Sequence, residues 1–220
     1  MPAFQAAATL ATVIGRVRAI VPDAGLVEVD DGSTDETGAV AARAGGLVIR
    51  HERNAGKGAA LATGIARALA DGAAAIVTLD ADGQHPPEAV PLVLAPLARA
   101  GVDLVLGARE RSGAMPFPRR VTNRLSATIA SRIARVAIPD AQTGLRAFTS
   151  RLAAEVAPRI GRYTRYDYEA AFLLAALRAG YGVRSVTIPT IYDGQPSHFR
   201  SVPDGWRVAR VFARYLLGAS

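Results

Sequence analysis

The chain has no cysteine, which excludes disulfides, thiolate metal sites and a cysteine nucleophile. It has no apolar run long enough to span a membrane, and no basic segment followed by an apolar stretch of the signal-peptide kind. Lysine is nearly missing too: Lys57 is the only one among 26 basic residues, so almost all the positive charge is arginine. The net charge of +7 fits an anionic partner such as a nucleotide, a lipid head group, a membrane surface or nucleic acid. The richness in arginine, alanine, glycine and valine also fits a genomic bias, so charge alone assigns nothing. The three histidines, His51, His85 and His198, are too scattered for a zinc site. What is plentiful is apolar: half of the 220 residues, enough for a substantial core in one domain.

The chain is organised around residues 74–85, A-A-I-V-T-L-D-A-D-G-Q-H. The apolar run stops at Asp80, and Asp82 follows after one small residue. Such a run, bounded by glycine and proline, reads as a buried parallel strand. In extended backbone two carboxylates spaced by one residue point to the same side, and ligands of open α/β sheets bind beyond the strands' carboxyl ends. Like charges so close repel unless a cation lies between them. Oxygen donors suit Mg²⁺ or Mn²⁺, ions commonly shared with substrate phosphates. The plainer reading is a solvated Asp-Gly turn.

Taken in order, residues 9–20 have helical periodicity, with Leu10, Val13, Ile14, Val17 and Ile20 on one face. Residues 26–29 read as a strand ending at Asp30-Asp31-Gly32-Ser33-Thr34-Asp35, whose last three residues are good N-caps for a helix to about Ala44. Residues 47–49 form a short strand. Asn54-Ala55-Gly56-Lys57-Gly58 is a glycine-rich loop opening a helix of residues 59–70. After the strand at 74–79 come a helix at 87–98 and a strand at 102–106 that ends at Gly107-Ala108-Arg109. Strands alternating with helices imply a mostly parallel sheet covered on both faces. The second half has a Gly/Pro loop at 111–118, an arginine-rich helix at 119–136, a helix at 168–179, a strand at 183–189 and an amphipathic helix at 204–217.

Several groups sit at strand-to-helix transitions, hence on one sheet edge. Asp30 and Asp31 can accept hydrogen bonds from a base or ribose, or cap the next helix. The 54–58 loop can cradle phosphate, though it lacks the Walker spacing. Arg109, Arg119, Arg120 and Arg124 offer forks that match phosphate oxygens, or form a solvated face. Asp167 and Glu169, beside Tyr166 and Tyr168, either favour a helix N-terminus or face the cleft. The stripe Trp206, Val208, Val211, Phe212, Tyr215, Leu216 reads as core. Arg207, Arg210 and Arg214 between them leave an interfacial role open.

Pro2-Ala3-Phe4, Asp30–Asp35, Asn54–Gly58, Asp80-Ala81-Asp82-Gly83-Gln84-His85, Gly107-Ala108-Arg109 and Thr143-Gly144-Leu145-Arg146 occur in that order. This ordered set resembles glycosyltransferase family 2, most closely the branch of dolichyl- or polyprenyl-phosphate mannose (or glucose) synthases. The resemblance covers nearly the whole chain. It implies a GT-A fold, a Rossmann-like doubly wound sheet, in one catalytic domain over residues 1–220. Residues 1–110 would bind the nucleotide sugar, GDP-mannose or UDP-glucose, and residues 111–220 the acceptor. By resemblance Pro2, Phe4, Asp31, Lys57 and Asp80 surround the nucleotide. Asp80, Asp82 and Gln84 hold Mg²⁺ or Mn²⁺, and Arg109 and Arg120 clamp an acceptor phosphate. The implied reaction is inverting transfer of a hexose to a polyprenyl phosphate, with Asp80 and Asp82 catalytic through the metal. A sugar-hydroxyl acceptor would instead require a base, for which Asp140, Asp167 and Glu169 are the candidates.

The sequence departs from the family at its start. The usual P-A-[YF]-N-E follows a complete first strand; here Gln5-Ala6 replace Asn-Glu and the strand before Pro2 is missing. The expectation is therefore a start placed too late, or impaired nucleotide binding and a catalytically silent nucleotide-sugar-binding protein. The C-terminal membrane spans of some relatives are also missing, so a lipid acceptor would be reached from the membrane surface by a cytoplasmic protein at the inner face. A nucleic-acid-binding role has only charge in its favour, because no recognition motif accompanies the arginines.

Overall fold

The computed structural model of the chain describes residues 1–109, 117–189 and 201–217, with helical residues 117–125 and 201–202 described by backbone alone. It is an α/β fold in two hydrogen-bonded sheets. In the first, β1 (Pro2–Ala3), β2 (Val27–Asp30) and β3 (Leu47–Arg50) run parallel. In the second, β4 (Ala75–Thr78), β5 (Leu104–Arg109), β6 (Arg146–Thr149) and β7 (Val183–Ile188) take the order β4-β6-β5-β7. Strand β5 is parallel to β7, while β6 runs antiparallel to both of its neighbours, β4 and β5.

The antiparallel insertion differs from an all-parallel reading of the pattern. Residues 146–149 are short, begin with an arginine and follow a turn, so periodicity does not reveal them as a strand. They are nonetheless buried at Arg146, Ala147 and Phe148. Thr149 then caps a helix that the pattern also misses: its Oγ1 accepts from the Leu152 amide at 3.3 Å.

The helices are α1 (Ala7–Ile20), α2 (Thr37–Arg43), α3 (Lys57–Ala70), α4 (Val90–Leu94), α5 (Phe117–Ala134), α6 (Ser150–Val156), α7 (Asp167–Arg178) and α8 (Ser201–Leu216). The helix expected at 87–98 is split: Pro87, Pro91 and Pro96 each start a new short segment, so 3₁₀ turns flank α4. Helix α1 buries Leu10, Val13, Ile14 and Val17, the face its spacing foretells. The largest core cluster joins β5, β6 and α6 to α7 and α8 through Leu104, Phe148, Leu152, Phe172 and Val208. A second cluster packs α1 and α4 on the strands' other side through Val13, Val93, Val105 and Leu145. With apolar layers on both faces, the strand ends are left to carry polar groups.

One polar group is buried without any such use. Glu28 in β2 is 1% exposed, and neither carboxylate oxygen has a partner among the described residues. Burial pushes its carboxyl up to about 7, against the nearby chain amine.

Candidate active site

The site begins where β4 ends. Asp80 and Asp82 follow in a turn, in which Asp82 Oδ1 accepts a hydrogen bond from the Gln84 amide at 2.9 Å. Extended alternation therefore does not align the two carboxylates. The turn, with Gly83 at a φ of +74°, brings both residues to one cavity wall. Asp80, Asp82 and Gln84 line one cavity of about 900 Å³.

Lys57, the first residue of α3, reaches across this cavity. Its Nζ lies 2.8 Å and 2.9 Å from the Asp80 oxygens and 3.0 Å from Glu169 Oε1. Burial by itself would push Asp80 up. The Lys57 ammonium, helped by His85 and Arg109, overrules it and holds the carboxyl down at about 2. Burial raises the Glu169 carboxyl, and Asp80 adds to that against the pull of Lys57. Burial would lower Lys57, but Asp80 and Glu169 together raise it. One ammonium thus serves two carboxylates, the half-buried Asp80 and the buried Glu169.

Two residues of the Thr143–Arg146 stretch make this packing possible. A Cβ on Gly144 would stand 2.2 Å from Asp80 Oδ2, so only glycine lets the carboxylate lie there. The Arg146 guanidinium is buried and donates to the carbonyls of Thr143 (2.9 Å), Ala141 (2.9 Å) and Glu169 (2.6 Å). It ties the 141–144 loop to the start of α7. Sequence reasoning quoted this motif but gave Arg146 no task.

His85, too isolated in the sequence for a zinc site, is also held in this packing. Thr143 Oγ1 donates its single proton to the Gly107 carbonyl at 2.6 Å. Toward His85 Nε2, at 3.4 Å, it can therefore only accept. The proton sits on Nε2, and Nδ1 is left buried without a partner among the described residues. Burial lowers the imidazole to about 4, with Arg109 and Lys57 adding to the effect, so it is neutral at physiological pH.

At one end of the cavity lie Pro2, Phe4 and Asp31. The phosphate-cradle reading of the 54–58 loop needs correction here. The Ala55 and Gly56 amides donate to the Asp31 carboxylate at 2.9 Å and 2.7 Å, and His51 Nδ1 lies 2.7 Å from it. Gly56 and Gly58 are required by close packing, since a Cβ at either would meet the 164–168 segment. Asp30 turns away to accept from the Ser33 amide at 2.9 Å. The departing residue Gln5 clasps the same loop. Its amide nitrogen donates to Thr34 Oγ1 at 3.0 Å, and its oxygen accepts from the Thr34 and Asp35 amides at 2.9 Å and 3.2 Å.

At the other end Arg109 lines the cavity. Its Nε and Nη2 lie 2.7 Å and 3.2 Å from the Asp140 oxygens. Asp140 also accepts from the Gln142 amide at 3.2 Å. Burial would raise Asp140, but Arg109 holds it below the usual carboxylate range. A carboxylate so committed and so acidic is a poor base. Asp167 is committed as well, accepting from the Arg165 amide at 3.0 Å. Glu169 is therefore the remaining base candidate on the cavity wall. Arg120 lies in α5 where only the backbone is described, so its side-chain assignment falls outside the described residues, as do those of Arg119, Arg124 and His198. Arg165, Tyr166, Pro203, Asp204 and Arg207 also line the cavity. They come from the α7 entry and from α8, far along the chain; Tyr166 belongs to the patch the sequence offers to the cleft, while no local signal gives Arg165, Pro203, Asp204 or Arg207 a place there.

Among the described residues no three His, Cys, Asp or Glu side chains form a ready metal cage. The donor set nevertheless fits a hard divalent ion. Mg²⁺ and Mn²⁺ take one or two carboxylates and fill the remaining positions with water and phosphate oxygens. Asp80, Asp82 and the Gln84 amide oxygen are such donors in one cavity.

The comparisons with known proteins agree with this geometry. The sequence profile of glycosyl transferase family 2 matches residues 1–156. An uncharacterized protein of Methanocaldococcus jannaschii is 36% identical over 76% of this chain and 70% of its own. Polyprenol monophosphomannose synthase of Mycolicibacterium smegmatis is 29% identical over 86% of this chain and 74% of its own. Among solved structures, glucosyl-3-phosphoglycerate synthase from Mycobacterium tuberculosis, crystallised with Mn²⁺ and UDP-glucose, superposes with a TM-score of 0.71. It is 24% identical and covers 99% of this chain and 76% of that one. The chain has the GT-A fold and belongs to glycosyl transferase family 2.

Proposed function

We propose that the protein moves a hexose from a nucleotide-diphosphate sugar to a polyprenyl phosphate, with inversion at the anomeric carbon. The observation that carries this reading is that two of the three candidate bases are withdrawn from the cavity. Asp140 is paired with Arg109 and Asp167 accepts from the Arg165 amide, and neither is among the residues that line the cavity. A sugar-hydroxyl acceptor must lose a proton to a base; a phosphate acceptor is already anionic and needs none. Lys57, Arg109, Arg165 and Arg207 line the cavity and offer cations to phosphates, beside five acids that a divalent ion would offset in part. Polyprenol monophosphomannose synthase, by its name, works on such an acceptor.

In this reading residues 1–110 hold the donor and 111–220 the acceptor. Pro2, Phe4 and Asp31 bound the nucleotide, and Asp31 also keeps the 54–58 loop in place. Asp80, Asp82 and Gln84 would hold Mg²⁺ or Mn²⁺, which when bound neutralises charge on the leaving diphosphate. Lys57, beside Asp80, adds a fixed cation on the same side. Arg109, set by Asp140, and Arg120 orient the acceptor phosphate. An acceptor oxygen forms the new bond to the anomeric carbon as the bond from that carbon to the diphosphate oxygen breaks. The nucleoside diphosphate leaves with the electron pair, and no proton needs to move.

A second reading keeps the donor half and changes the acceptor to a saccharide hydroxyl. Glu169 favours it, because its raised carboxyl lies on the cavity wall and could take the hydroxyl proton. Incubation with labelled GDP-mannose or UDP-glucose, Mg²⁺ or Mn²⁺, and polyprenyl phosphate separates the two. Label entering lipid supports the first; label entering only soluble glycan supports the second; tight donor binding without turnover marks a silent binding protein. Asp82→Asn should abolish turnover and metal-dependent donor binding, and a fully active variant would refute the metal assignment.

A further inference from the structure

Helix α8 presents a two-sided outer surface that the core leaves uncovered, and among residues 206–217 only Arg207 reaches the cavity. Its inner side, Val208, Val211 and Phe212, is buried against the core. Outward, Trp206, Arg210, Ala213 and Leu217 follow at spacings of four, three and four residues, so they form one line along the helix. The line spans about 16 Å, and helical pairing reaches Leu217, whose amide donates to the Ala213 carbonyl at 3.0 Å. Trp206 is 68% exposed, Leu216 62% and Leu217 82%. These are half of the exposed large apolar side chains among the described residues, while Leu47, Leu92 and Val136 lie on other elements. Arg207 and Arg214 flank the line on one side, Ala209 and Leu216 on the other, and all four are exposed. The one acid of residues 203–217, Asp204, is buried. Arg178 of α7 adds a further cation beside the C-terminal end, its guanidinium 4.8 Å from the Tyr215 ring centre.

An exposed tryptophan and leucines along one edge, with arginines along the other, match the boundary of an anionic bilayer. Apolar groups enter the acyl edge there, and guanidinium groups meet lipid phosphates. A protein partner would require a pocket for the tryptophan; a bilayer requires only this ordering. We infer that α8 docks the protein on the surface of an anionic phospholipid membrane through Trp206, Arg210, Arg214 and Leu217. Pro203, Asp204 and Arg207, in the N-terminal turns of the same helix around Trp206, line the catalytic cavity. Docking therefore brings the cavity wall to headgroup level, where a lipid-linked phosphate resides. The inference deepens the lipid-acceptor reading, but its test does not depend on that reading.

Trp206 is the chain's only tryptophan, so intrinsic fluorescence reports this surface alone. The probe is the full chain with vesicles of phosphatidylcholine, with and without phosphatidylglycerol, and free of any polyprenyl phosphate. The expected result is a blue shift and quenching by brominated lipid with the anionic vesicles only, reversed by high salt. Arg210→Glu with Arg214→Glu should lower partitioning by roughly several hundred-fold, at about five-fold for each of the four charge units changed. Donor-dependent thermal stabilisation should be retained, as evidence that the variant folds. Equal binding to neutral vesicles, no binding by the intact protein, or unchanged binding by the double variant would each overturn the docking proposal. A blue shift that follows protein concentration without vesicles would overturn it too, in favour of a second copy on this face. Transfer to a short, water-soluble prenyl phosphate should be unchanged in the double variant. If no acceptor takes label while anionic vesicles still bind, the reaction is misread and the docking stands.

Discussion

Replacing Lys57 by methionine removes the one ammonium between the half-buried Asp80 and the buried Glu169, and the consequences can be worked from the site. In the folded protein Asp80 titrates at about 2 instead of its ordinary 3.8. At about 1.36 kcal/mol per pH unit, that depression is worth a few kcal/mol of stability. It is fully present above pH 3.8 and lost as pH falls through 2. Without Lys57, Asp80 and Glu169 lose their only direct counter-ion among the described residues and keep the weaker pull of Arg109 and Arg146, and leaving a buried charge without its partner costs about 3–5 kcal/mol. At about 2–4 °C per kcal/mol for a chain of this size, Lys57→Met should melt about 10 °C lower at pH 7. The sign of the pH dependence then inverts. Both carboxyls in the variant rise above their unfolded values, so its stability is greatest below about pH 4 and falls as pH rises toward neutrality. The gap to the natural protein should therefore narrow on acidification. Mn²⁺ alone should stabilise the variant more than the natural protein, because it meets two carboxylates with no competing ammonium. Melting curves by circular dichroism from pH 4 to 8, with and without Mn²⁺, test all three statements. An unchanged melting temperature, or a deficit equal at every pH, would refute the account of Lys57 as the shared counter-charge.

Further predictions concern Glu28 and Gly144. Glu28→Gln keeps the shape of a buried, unpartnered carboxyl that is raised from 4.5 to about 7. A raised group withdraws stability as pH climbs from 4.5 through 7, so the variant should gain about 3 kcal/mol at pH 8 and almost nothing below pH 4.5. Denaturant unfolding at the two pH values checks this, and a gain independent of pH would show that charge is not the cause. Gly144→Ala places a Cβ against Asp80 Oδ2. The carboxylate must move, so turnover should fall by about a hundred-fold or more while the fold persists by circular dichroism. Near-normal activity would show that the Asp80 position is not required.

Much was legible along the chain because its causes are local. Apolar runs and caps placed the parallel strands and most helices. A strand's polar exit put Asp31, Asp80 and Arg109 on one edge, and these residues do line one cavity. Proline chemistry was legible in kind but not in extent: Pro91 and Pro96 broke a helix that periodicity alone would continue. The antiparallel strand β6 escaped because its burial comes from neighbours on both sides, not from its own pattern. Only folding in three dimensions decided that the 54–58 amides would serve Asp31 and not a phosphate, and that Asp140 would be taken by Arg109. The same holds for Arg146, which joins two segments through backbone carbonyls, and for α8, which closes the cavity from far along the sequence. Residue order fixes which groups stand at the end of a strand, because alternation and capping act over a few bonds. Which charges pair depends on distances between segments remote in sequence, and those exist only once the core has packed.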